Sequence, residues 1–233
     1  MEIDDQRLAY AIENTEVLRP PRQALATFGT TNIRYYLVTR PVYSEAASAE
    51  GETVVREGRV ISERPQVVTP TYLINMEGFG DHARHYLEMM IRRFGPHAPG
   101  IFYKYRNEPK DLSIVSDTLE AVVQNLNTRI DQAGEQLTAI IKGVDELWDV
   151  SLMKFIHEVT ASSLGSNISE LGSRGLLDVD RAGVPQEARL RIEELFSQVK
   201  SGEAEPYQLK LELDRWGLFH EYQDRFLNMF RKR

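Results

Sequence analysis

The hydrophobic residues change their spacing partway along the chain, and that change limits what the chain can fold into. Up to about residue 106 they alternate or gather in short β-branched runs; beyond Lys110 they recur every three or four residues. Residues 32–40 typify the first regime. Ile33, Tyr35 and Leu37 fall on one face of a strand, Arg34, Tyr36, Val38 and Arg40 on the other, and Pro41 stops it. Residues 44–51 are small and polar, as a loop requires. Residues 53–56 and 59–62 flank Glu57 and Gly58, a pattern that predicts a tight hairpin turn. Val67 and Val68, set between Pro65 and Pro70, read as a short or edge strand. One helix interrupts this region, with Ala83, Tyr86, Leu87, Met90, Ile91 and Phe94 at helical spacing, Asp81 at its start and Gly95 and Pro96 at its end. Residues 101–106 return to the sheet.

The second regime is helical. Asp117 and Glu120 resemble a capping box ahead of Leu119, Val122, Val123, Leu126 and Ile130. Leu137, Ile140, Ile141, Val144 and Leu147 continue the helical stripe past a break at Gly134, and Leu152, Phe155, Ile156 and Val159 form the next. Residues 162–175, with glycines at 165, 172 and 175, read as a loop or a broken helix. Pro185 and Pro206 each open a helix, Gly202 and Gly217 end them, and residues 218–230 form the last. The expected fold is α+β: a small, mainly antiparallel sheet over residues 16–106 with one inserted helix, followed by a C-terminal helical region. The expected division is a β-rich subdomain, 1–110, packed against an acidic all-helical one, 111–233.

Charge sharpens that division. Residues 1–110 carry 14 acidic and 14 basic side chains, so the net −7 sits entirely in the remainder. A nucleic-acid binder advertises the opposite, a basic stripe that neutralises phosphates. The absence of cysteine removes disulfides, thiolate metal sites and a cysteine nucleophile. No run approaches the roughly 18–20 apolar residues of a membrane span, and the acidic start resembles no secretory leader, so a cytoplasmic protein is expected.

No complete catalytic or cofactor motif is present, and no cofactor is expected. His82, His85 and Glu88 share one edge of a helix at three-residue spacing, which a metal-dependent enzyme could use, yet the His-Glu-x-x-His pattern is missing. Residues 178–189 begin like a calcium loop but place Arg189 where a bidentate glutamate should close the shell. The glycines of 165–175 match no phosphate-binding motif. Arg34, Tyr36 and Arg40 on one strand, with Lys104 and Arg106 on another, interleave aromatics and cations as single-strand RNA binders do; a half-exposed sheet shows the same alternation. The last helix is the most distinctive element. Leu218, Phe219, Tyr222, Phe226, Met229 and Phe230 make an apolar arc wider than the ~100° stripe of a surface helix. It should dock deeply or bury itself against a partner. These features point to a non-catalytic interaction or assembly protein with a protein partner or a second copy of itself, rather than nucleic acid or membrane.

Overall fold

The structure is a computed structural model that describes residues 2–41, 51–76 and 80–230, with the side chains of residues 2–4, 81 and 82 outside the description. Residues 44–50 of the loop expected over 44–51, and the basic residues 231–233, lie outside the described residues. The fold is α+β: a five-stranded, mainly antiparallel sheet and a C-terminal helical region. The chain forms two compact units, one of residues 1–64 and 103–167, the other of residues 65–102 and 168–233. The boundaries therefore differ from a single cut near residue 110.

The first unit holds the sheet. Its strands, β1 (Glu16–Arg19), β2 (Thr31–Thr39), β3 (Thr53–Ser62), β6 (Tyr105–Val115) and β7 (Thr138–Lys142), lie in the order β1-β7-β2-β3-β6. Only the β2–β7 pair is parallel, because α4 (Leu119–Ala133) carries the chain from β6 at one edge back to β7 near the other. The alternation read in β2 holds. Ile33, Tyr35 and Leu37 pack with Ala139 and Ile141 against Leu152, Phe155, Ile156 and Val159 of α5 (Trp148–Ser173). Tyr36, Val38 and Ile140 pack on the opposite face against Leu119, Val122, Leu126 and Ile130 of α4. Each fully buried aliphatic or aromatic side chain contributes roughly 1.5–3 kcal/mol, so the two layers hold the sheet from both sides.

Several local expectations need correction. Residues 138–142 form a strand, not a helix: a central strand covered on both faces reads as a continuous apolar run, which spacing alone cannot separate from a buried helix. With β6 also reaching Val115, residues 111–233 are not all helical. Gly58 is no turn. It sits inside β3 opposite Tyr35, and a Cβ there would overlap the Tyr35 phenol. Residues 162–173 continue α5 through two glycines, fastened by buried bonds from Asn167 Nδ2 to the Leu25 carbonyl (2.9 Å) and to Thr27 Oγ1 (2.7 Å). An N-terminal helix, α1 (Glu2–Glu13), precedes the sheet; Lys154 Nζ donates to the Ile12 and Thr15 carbonyls at its end (2.9 and 2.7 Å). The α4 start is capped by Thr118, whose hydroxyl accepts from the Ala121 N–H, and not by the expected box of Asp117 and Glu120; Gly134 ends it in the left-handed region (φ 66°).

The second unit is helical around a two-stranded ribbon, β4 (Gln66–Val68) with β5 (Gly100–Phe102). The run expected over 101–106 thus splits between two sheets. Helices α2 (Pro70–Ile74), α3 (Asp81–Phe94), α6 (Gln186–Ser201), α7 (Pro206–Arg215) and α8 (Phe219–Asn228) complete it. Tyr72, Ile192, Phe196, Leu209, Leu213 and Trp216 form its core together with Leu218 and Phe226. Glu212 is buried there and accepts from Tyr72 Oη (3.0 Å), Trp216 Nε1 (3.1 Å) and Arg191, which also reaches the fully buried Glu187 (3.1 Å). Burial works against the Arg191 charge, but Glu212 and Glu187 outweigh it and raise its pKa.

Candidate functional site

The sheet of the first unit is covered unevenly. Helices α4 and α5 bury β2 and β7 on both faces, whereas every residue of β6 from Pro109 to Val115 is exposed. Strand β6 is also an edge strand, paired along its length with β3 and with no described strand on its outer side. Its unpaired backbone groups form a template for another extended chain.

The two halves of this edge differ in chemistry. Between Glu57 and Gly58 the pairing slips: Glu57 faces Asp111, Gly58 faces Pro109, and Lys110 is the extra residue of a bulge. Lys110 Nζ turns back onto Glu57 Oε1 at 2.6 Å, and Glu108 pairs with Arg59 and with Arg106 (3.0 Å). Tyr35 spans the gap that Gly58 leaves and donates to Asn107 Oδ1 at 3.1 Å; burial raises its pKa. Proline, bulge and charge are the usual devices that keep a free edge from pairing. Beyond Asp111 none of them remains. Leu112 and Ile114 are 58% and 55% exposed on the face that α5 leaves bare, and Ser113 and Val115 point to the α4 side.

On that α4 side a groove runs along the strand. It comprises two adjoining clefts, about 330 Å³ and 270 Å³, that share Tyr36, Glu57 and Arg129. Arg34 is held by Glu135 (2.6 Å) and faces Glu57 (3.7 Å). Burial opposes its charge, but Tyr36, Glu135 and Glu57 outweigh that and raise its pKa. The Arg129 guanidinium lies 4.9 Å from the centre of the Tyr36 ring. The groove thus holds both signs of charge, largely neutralised within itself.

The other sequence candidates are placed as follows. Arg40 pairs with Glu120 (3.7 Å), Lys104 with Glu63 (3.3 Å) and Arg106 with Glu108, so these cations and Arg34 each face a carboxylate. His85 Nδ1 lies 3.8 Å from Glu88 on the exposed side of α3, and the His82 side chain is outside the described residues. Among the described residues no group of three or more His, Cys, Asp or Glu is arranged to hold a metal. Asp180, in the calcium-like loop, accepts from the backbone N–H of Ala182 and Val184 and from Arg189. Burial disfavours its charge, yet those donors prevail and hold its pKa below the usual carboxylate value. In the C-terminal arc Leu218 and Phe226 are buried in the second unit's own core, Phe219, Tyr222 and Met229 pack partly against it, and Phe230 remains 52% exposed. No described helix is long and apolar enough to cross a membrane.

The exposed edge itself is absent from the sequence candidates, although the alternation of Leu112 and Ile114 with Asp111 and Ser113 was there to be read. No protein-family model, curated protein or solved structure matches the chain.

Proposed function

We propose that this chain is a non-catalytic interaction or assembly protein that takes up a partner by strand addition at β6. The observation that carries the reading is that an edge strand with a free backbone is exposed on both faces from Pro109 to Val115. Strand addition draws affinity from main-chain hydrogen bonds and specificity from alternate side chains. Here Leu112 and Ile114 would supply apolar contact on one face, and Asp111, Ser113 and the groove polar contact on the other. Ion pairing inside the groove supports a binding surface over a catalytic one, since its glutamates are engaged by Arg34 and Lys110.

The test is backbone hydrogen exchange on dilute protein with a short, end-blocked peptide of alternating valine and lysine as an artificial strand. Exchange of the outward-facing amides within residues 112–115 should slow several-fold while the Ile114→Lys variant shows no change. Unaltered exchange at millimolar peptide would overturn the reading.

A further inference from the structure

Resting on the strand-addition reading, we infer that the strand added to β6 is β6 of a second copy of this chain, run antiparallel about Ser113. The edge permits few self-pairings. Proline at 109 lacks an N–H and the bulge at Lys110 breaks the pleat, so residues 111–115 are the stretch free to pair. Centring the pair on Asp111 sets two carboxylates directly opposite each other, and centring it on Ile114 sets Asp111 against Asp117 of the other copy. Centring it on Leu112 sets the charged Lys110 against an apolar Ile114 and brings Pro109 back into the ladder.

Only the register about Ser113 avoids all of these. It places Leu112 against Ile114 in both directions, Asp111 against Val115, and Ser113 against its own counterpart. The two exposed apolar side chains of each copy then cover one another, on the face where no described helix does so. Proline and the bulge fall outside the paired stretch, where the missing N–H costs nothing. The two five-stranded sheets become one continuous sheet. An isologous contact of this kind closes on itself and does not propagate into a fibre. Its small extent implies a weak association, and the net charge of −7 on each chain implies that moderate salt strengthens it.

These 233 residues contain no cysteine, so a single introduced thiol reports the register directly. In the Ser113→Cys variant the two thiols meet across the two-fold axis, within the Cα separation of about 4.4–6.8 Å that a disulfide spans. In Arg106→Cys, on the same exposed strand, they lie strands' lengths apart. Under mild oxidation S113C should form covalent dimer at least tenfold faster than R106C. Sedimentation of the unmodified chain from micromolar to millimolar concentration should move from one chain mass towards two, and Ile114→Lys should weaken that association at least tenfold. Equal cross-linking rates for the two cysteine variants would overturn the register. A mass fixed at one chain at every concentration would overturn the self-pairing; if the valine–lysine peptide still protects residues 112–115, strand addition survives with a different partner, and if it does not, both readings fall.

Discussion

The two units bury polar groups in different ways. In the sheet unit the described buried polar side chains are hydroxyls and one amide, among them Thr15, Thr39, Ser151, Ser163 and Asn167. In the helical unit two glutamates, Glu187 and Glu212, lie inside. The difference follows from backbone hydrogen bonding. The inner strands of a five-stranded sheet satisfy one another's N–H and C=O groups and leave unpaired ones only at its edges, so its core can be apolar with neutral polar groups at the joints. The β4–β5 ribbon is three residues long, and the Val67 N–H finds its acceptor in Glu187 Oε2 at 3.1 Å. One buried carboxylate then calls for Arg191, and Arg191 for Glu212. Charge enters a core where the backbone cannot satisfy itself.

The strongest challenge to this contrast is deletion of residues 218–233. Leu218 and Phe226 belong to the helical unit's core, so the deletion should cost that unit more than about 5 kcal/mol and leave α6 and α7 unprotected against hydrogen exchange. Strands β2, β3 and β7, with no residue of 218–233 in their core clusters, should stay protected. Equal loss of protection in both units would show that they do not differ in this way.

Next in size is the buried network. Glu212→Ala leaves the Arg191 charge and the Tyr72 and Trp216 donors short of a partner, and should cost about 3–5 kcal/mol in urea unfolding. In the sheet unit Ser151→Ala removes the hydroxyl 2.7 Å from Thr15 Oγ1, which keeps the Ala11 carbonyl as an acceptor (2.7 Å), so only neutral bonds are lost and the cost should be about 1–2 kcal/mol. Similar costs for the two would remove the distinction between charged and neutral burial.

The smallest effect is alkaline. Burial, then the neighbouring Glu212, push the Tyr72 hydroxyl up to about 12. Both folded and unfolded chains hold this proton below pH ~10, so the folded state loses nothing there. Between ~10 and about 12 the unfolded tyrosine ionises while the folded one cannot, and stability falls with rising pH. At pH 11 the loss from this residue should be about 1 kcal/mol, and Tyr72→Phe should remove it from the difference between pH 9 and pH 11 unfolding curves. An unchanged pH dependence in the variant would place the alkaline sensitivity elsewhere, with Tyr103 of the sheet unit, also raised to about 12 by burial, the next residue to test.

Local sequence determined much of this protein. The alternation in residues 32–40 assigned Ile33, Tyr35 and Leu37 to one face and Tyr36 and Val38 to the other, and the structure buries them so. Gly134, Gly202 and Gly217 marked helix ends, because positive φ (66–79°) costs glycine no steric clash, whereas Gly165 and Gly172 lie inside α5. What depended on distant partners was not legible. Residues 138–142 are a strand because β1 and β2 flank them, and Gly58 stays extended because Tyr35 needs the space that its missing Cβ leaves. The arc of Leu218, Phe219, Tyr222, Phe226, Met229 and Phe230 announced burial, but only the folded chain supplied Phe196 and Leu213 as neighbours of the buried Leu218 and Phe226, and it leaves Phe230 half exposed. The open edge belongs to the same class: residues 111–115 alternate as any strand would, and whether such a strand lies at the centre or the rim of a sheet is decided by where the rest of the chain goes.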